Sequence, residues 1–145
     1  MKLKQIAVNI ENSHGRLFEV IQILGKAGIN LRALNLVDTG ECGILRLIVS
    51  DLAKARRILM EKQLPAIVEN VVAAEIEDKT GQLTALLKPL QNAKVRVVYM
   101  YTYIGFCSGK TIMIFRFSDN DKAIEVLQEN GIKLIDAKAL GIDTA

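Results

Sequence analysis

Two short runs of this chain combine residue types that can hold a small charged molecule. The first is Asn12-Ser13-His14-Gly15-Arg16-Leu17; the second, Asp78-Lys79-Thr80-Gly81-Gln82-Leu83, repeats its pattern 66 residues later. Each places a polar side chain, two further residues and a glycine before the start of a helical pattern. The first turn of a helix carries backbone N–H groups without intrahelical partners, and its aligned peptide dipoles favour negative charge. Glycine lets a ligand approach the backbone closely, so a carboxylate or phosphate suits the place. Asn12 or Asp78 adds an acceptor for an ammonium. Donors for a carboxylate beside an acceptor for an amine fit a free amino acid. The same residues also make ordinary helix caps and tight turns, so the chemistry alone leaves both readings open. His14, the one histidine, can touch a ligand carboxylate or face water; alone it makes neither a metal site nor a triad.

The elements that must position these runs are written twice. Ile6, Val8 and Ile10 alternate as in a half-buried strand. Asn12 is expected to cap a helix running from about Gly15 to Ala27, and Gly28 to end it. Leu17, Ile21, Leu24 and Ala27 form its apolar ladder, matched by Leu83, Leu87, Leu90 and Ala93. A strand over Ile29–Val37, a turn at Asp38-Thr39-Gly40 and a strand over Gly43–Val49 form a hairpin. Ser50-Asp51 caps a second helix with the stripe Leu52, Ala55, Ile58 and Leu59, and a short strand near Ala66–Glu69 follows. The second copy runs from a strand at Val71–Glu77 through a helix over Gly81–Ala93, strands at Val95–Tyr103 and Lys110–Phe117 and a helix from Ser118-Asp119 to about Asn130. Its last strand spans Lys133–Leu140. The order βαββαβ, met twice, predicts an α+β fold of tandem ferredoxin-like repeats, 1–69 and 70–145, with antiparallel sheets packed side by side.

Composition narrows the function. The chain has 145 residues, is 50% hydrophobic and carries a net charge of +3. That supports a folded core and argues against a nucleic-acid or membrane patch. No apolar run is long enough to span a bilayer, and the N-terminus does not read as a signal peptide, so a cytoplasmic location is expected. Cys42 and Cys107 form no metal-binding or disulfide pattern and read as reduced thiols. Lys54, Arg56, Arg57 and Lys62 read as the solvated side of the second helix. Tyr99, Tyr101 and Tyr103 share one strand face, suited to a sheet face, a subunit contact or a ligand.

The run Ile10-Glu11-Asn12-x-x-Gly15-x-Leu17, followed by Leu24 and by Ala27-Gly28-Ile29-Asn30-Leu31, resembles the ACT domain, a small-molecule regulatory module of amino-acid metabolism. The second copy is similar but weaker, and the resemblance covers essentially the whole chain. It implies a non-catalytic regulatory protein that binds an amino acid at the turn after the first strand, at an interface between two ACT units. The residues it points to are Asn12, Ser13, His14, Gly15, Arg16 and Leu17, with Asn30 opposite, and Asp78, Lys79, Thr80, Gly81, Gln82 and Leu83 in the second copy. Family members commonly have proline before the glycine, where this chain has His14 and Thr80, and Arg96 stands in the place of Asn30; the two sites are therefore expected to be inequivalent, with the first favoured. No cofactor or metal is implied. A homodimer is expected, and an enzyme of amino-acid metabolism is a candidate partner. The competing readings are an interaction protein without ligand and an RNA-binding ferredoxin-like sheet, for which Phe115 and Phe117 are the available aromatics.

Overall fold

The computed structural model describes residues 2–11, 14–104 and 109–143. Its elements run β1 (Leu3–Glu11), α1 (Arg16–Lys26), β2 (Leu31–Asp38), β3 (Cys42–Val49), α2 (Leu52–Glu61), β4 (Ala66–Glu77), α3 (Gln82–Asn92), β5 (Val97–Thr102), β6 (Lys110–Phe117), α4 (Asn120–Glu129) and β7 (Lys133–Ile135). The chain forms two compact units. The first holds Lys4–Glu69 and the end of the chain from Gly141; the second holds Asn70–Leu140 and the first residues through Leu3.

In the first unit β3 lies antiparallel between β1 and β2, with Ile6 opposite Leu47 and Leu34 also opposite Leu47 from the other side. β1 is followed in the strand order by β4, and Gln5, fully buried, donates from Nε2 to Glu69 Oε2 at 3.0 Å. The second unit repeats the arrangement as β7-β4-β6-β5, with Val72 opposite Phe115 and Ala73 opposite Ile135. Both are ferredoxin-like α+β units with antiparallel sheets.

Burial follows the strand and helix periods. Ile6, Val8, Ile10, Leu45, Leu47 and Val49 pack with Val20 and Leu24 of α1 and Leu52, Ala55 and Leu59 of α2. Val72, Ala74, Met113, Phe115 and Phe117 pack with Leu86 and Leu90 of α3 and Ala123 and Leu127 of α4. The ladder expected on the first helix is therefore shifted: Val20 and Leu24 form its buried stripe, Ile21 and Ala27 flank it, and Leu17 remains 37% exposed. Phe115 and Phe117 stack at 5.1 Å inside the core, so neither ring is available for a base.

Three expectations change. The strand read at Ala66–Glu69 and the one at Val71–Glu77 are one continuous twelve-residue strand. The last strand stops at Ile135 rather than Leu140, because Asp136 turns the chain: its Oδ1 accepts from Ala139 N–H at 2.8 Å, and its carbonyl from Leu140 N–H at 3.3 Å. The chain then returns to the first unit, where Asp143 N–H donates to Ser50 O at 3.0 Å and Leu52 N–H to Asp143 O at 2.9 Å. Third, the residue at the N-cap position of α1 is Gly15; Asn12, read as the cap, lies outside the described residues.

Candidate functional site

The four helices start in two ways. Asp51 and Asp119 stand in extended backbone before α2 and α4 and accept side-chain hydrogen bonds from Lys54 N–H and Lys122 N–H at 3.1 and 3.0 Å. Gly15 and Gly81 stand before α1 and α3 with φ of 82° and 87° and offer no side-chain cap. Only glycine adopts that conformation at no steric cost. It lets the chain leave the strand, turn sharply and enter the helix, and it brings no capping side chain of its own to the first-turn amides.

Asn12, Ser13 and Cys107 lie outside the described residues. His14 and Gly15 are exposed, and Arg16 is half-buried. Arg16 Nη1 pairs with Glu19 Oε2 at 3.0 Å, while its buried Nε has no acceptor among the described residues. Beside Arg16 opens a cleft of about 300 Å³. Asn9, Ile10 and Glu11 of β1 form one wall, Glu41 and Cys42 another, and Gln63, Leu64 and Pro65, between α2 and β4, the third. Gln63 holds a left-handed φ of 58° there. The cleft thus joins one guanidinium, two carboxylates, two side-chain amides, a thiol and the apolar Ile10, Leu64 and Pro65. Sequence reasoning singled out Arg16 as a site residue and Cys42 only as a reduced thiol, and it did not find Glu41 or Gln63; these three reach the cleft only through the hairpin and the α2–β4 connection.

Asn30 lies elsewhere. It precedes β2, beyond the C-terminal end of the eleven-residue α1, roughly 16 Å along the axis from Gly15. Its N–H donates to Ser50 Oγ, and its carbonyl accepts from Ser50 N–H, both at 2.9 Å. Arg96 makes the same pair of bonds with Ser118, at 3.0 and 2.8 Å. Because the backbone does this work, the side chain at that position is free to differ between the units.

In the second unit the equivalent turn is engaged with its own chain. Asp78 N–H donates to Gly109 O at 3.1 Å, Lys79 N–H to Glu77 O at 2.9 Å and Gln82 N–H to Lys79 O at 3.3 Å. Lys79 Nζ pairs with Glu77 Oε2 at 2.9 Å, and Lys110 Nζ lies 3.9 Å from Glu77 Oε1. The Lys79 hydrogen bond and charge, then the Lys110 charge, hold the Glu77 carboxyl below its usual pKa and Glu77 in turn raises Lys79. Asp78, Lys79 and Thr80 are exposed, and Gln82 and Leu83 half-buried. A cavity of about 400 Å³ in this unit lies between α3 and β5, lined by Leu87, Gln91 and Val97, and takes in none of Asp78–Leu83.

The pattern that defines the ACT domain pair matches residues 1–142. The chain belongs to the ACT domain family. Protein BT0572 of Bacteroides thetaiotaomicron superposes with a TM-score of 0.90 at 35% identity, over 97% of this chain and 96% of that one. The ligand-free regulatory subunit of aspartate kinase from Thermus thermophilus shares the fold, with a TM-score of 0.62 at 13% identity over 88% and 91% of the two chains. The corresponding subunit from Thermus flavus gives 0.59 at 13% identity over 88% and 92%. No curated protein matches the chain. An ACT pair has a regulatory, ligand-binding role in general. No helix among the described residues is long and apolar enough to cross a membrane.

Proposed function

We propose that the protein is a non-catalytic, cytoplasmic regulator that binds a free amino acid at the turn between β1 and α1 of its first ACT repeat, with repeat bounds at 1–69 and 70–145. The observation that carries this reading is the cleft beside Arg16. Its guanidinium and the backbone amides of the α1 first turn suit the effector carboxylate, and Glu11 and Glu41 suit its ammonium. A volume of about 300 Å³ is at the small end for ligand sites. Asn12, Ser13, His14, Gly15 and Leu17 complete the turn. Asn30, being at the far end of its own helix, serves a second ACT unit, as in a homodimer; β2 ends the strand order of the first unit and leaves Leu34 and Leu36 40% and 44% exposed for such a contact. Asp78–Leu83 form the weaker counterpart. An enzyme of amino-acid metabolism is the proposed target, the class to which the kinase of the T. thermophilus regulatory subunit belongs.

The test is thermal denaturation of the full chain against the twenty amino acids. An effector at 100 times its Kd adds about 2.7 kcal/mol of stability, and Asn12→Ala or Arg16→Ala removes the shift. A flat response across the panel overturns the reading and leaves the interaction protein, which the exposed Phe18, Leu34 and Leu36 then favour. Light scattering that shows a monomer at tens of micromolar removes the homodimer.

A further inference from the structure

A second cavity in the first unit, of about 720 Å³, shares no lining residue with the cleft beside Arg16. One side is a face of α2 whose residues recur at helical spacing, 52 and 53, 56 and 57, then 60 and 61; the other is Lys4 of β1 and Val68 of β4. Leu52 is buried and Val68 half-buried, and Met60 is 65% exposed. This apolar surface is rimmed by three cations, Lys4, Arg56 and Arg57, against one carboxylate, Glu61. The ion pairs found among the described residues, such as Lys2 with Asp121 and Arg16 with Glu19, include none of these three cations. The nearby Asp51 carboxylate caps Lys54 N–H. An apolar concavity carrying surplus unpaired positive charge is complementary to one kind of small molecule.

We propose that this cavity binds an organic anion with an apolar body, a carboxylate, sulfate or phosphate head on an aliphatic or aromatic group. The guanidinium fork of Arg matches such a head in a bidentate way, which the ammonium of Lys4 supplements as a point charge. The thioether of Met60 adapts to bodies of different shape, and the volume falls within the range of small-molecule sites. The cations are set in a concave wall and number only three, so the surface suits a compact ligand rather than a polyanion. This site is separate from the amino-acid cleft: it lies against α2 rather than the α1 start, and it carries the opposite sign of charge.

Calorimetric titration of the full chain with decanoate tests it, with decanol as the neutral isostere and decyltrimethylammonium as the cationic one. Decanoate is expected to bind saturably and at least about tenfold more tightly than decanol, with the cation not binding. The Arg56→Ala/Arg57→Ala double variant weakens decanoate by about tenfold or more, the loss of charge-assisted hydrogen bonds. Lys62→Ala, a cation on the same helix end but outside the cavity, does not. Ala53→Trp, which fills the space with both arginines in place, abolishes binding. Equal affinity for decanol, unchanged affinity in the double variant, persistence in Ala53→Trp or no decanoate binding at all each overturns the proposal.

Discussion

The turns at Gly15 and Gly81 have the same backbone and different surroundings. Their φ angles differ by only a few degrees, at 82° and 87°, and neither glycine supplies a side-chain cap to the helix that follows. Beside the first, Arg16 faces a cleft with Glu11 and Glu41. Beside the second, Lys79 is paired with Glu77, and the amides of Asp78, Lys79 and Gln82 donate to carbonyls of their own chain. The second helix start of each unit shows no such divergence: Asp51 and Asp119 make the same cap with almost the same φ, −140° and −145°. Where a side chain holds the fold, the copies agree. Where glycine geometry alone holds it, neighbouring side chains have been free to change, and a ligand site is one thing they can become.

The largest effect that can break this comparison is the ligand response itself. Gly15→Ala and Gly81→Ala should each cost about 1–2 kcal/mol in urea denaturation, because an L side chain is placed at positive φ. Only Gly15→Ala should also lose the thermal shift given by an amino acid. Loss of the shift in Gly81→Ala, with Gly15→Ala unaffected, would reverse the assignment of the site. Next in size are the caps. Asp51→Ala and Asp119→Ala should each cost about 1 kcal/mol, whereas Thr80→Ala, in a turn without a side-chain cap, should leave the denaturation midpoint unmoved.

The comparison is sharpened at the other ends of the helices. Gly28 after α1 and Gly131 after α4 have φ of 77° and 73°, but the matching positions after α3 and α2 are Lys94 at 59° and Gln63 at 58°. Each unit therefore places one glycine and one strained residue after its two helices. Lys94→Gly and Gln63→Gly should raise stability by about 0.5–1 kcal/mol each, and Gly28→Ala should lower it by about 1–2 kcal/mol, as Gly15→Ala does. Because Gln63 also lines the cleft, a stabilising Gln63→Gly that weakens the effector would mark residue 63 as part of the site.

Much of this was legible in the sequence. The repeat at Gly15 and Gly81, the alternation of Ile6, Val8 and Ile10 and the caps Asp51 and Asp119 depend on neighbours a few residues away, and each appears in the structure. What was not legible depends on residues far apart in the chain. Glu41 and Gln63 join Arg16 only when the β2–β3 hairpin and the α2–β4 connection reach the same end of the unit. Arg56 and Arg57 read as a solvated helix side until Lys4 and Val68 close a cavity against them. Asn12, which fits a cap by residue type, lies outside the described residues, and the residue at the helix start is Gly15 at positive φ. The strand read through Leu140 failed on Asp136, whose short side chain competes with the ladder for backbone N–H groups.

The smallest predicted effect concerns the charges that close the second turn. Glu77 is held below the ordinary carboxylate value of 4.5, first by the Lys79 hydrogen bond, then by the Lys79 and Lys110 charges. A carboxyl with a depressed folded pKa stabilises above its unfolded value and loses that contribution as pH falls through the folded one. Lys79 is raised above 10.5, so its share is present below that value and is lost as pH rises through the raised one. The pair is exposed and screened by solvent, so the effect is small. The stability difference between the wild-type chain and Glu77→Gln should therefore be constant around neutral pH, vanish as acid protonates Glu77, and shrink in high salt. A difference that persisted in strong acid would mean that Glu77 shapes the turn through its backbone or packing rather than its charge, and the closure of the second turn would then rest on the amide hydrogen bonds of Asp78, Lys79 and Gln82 alone.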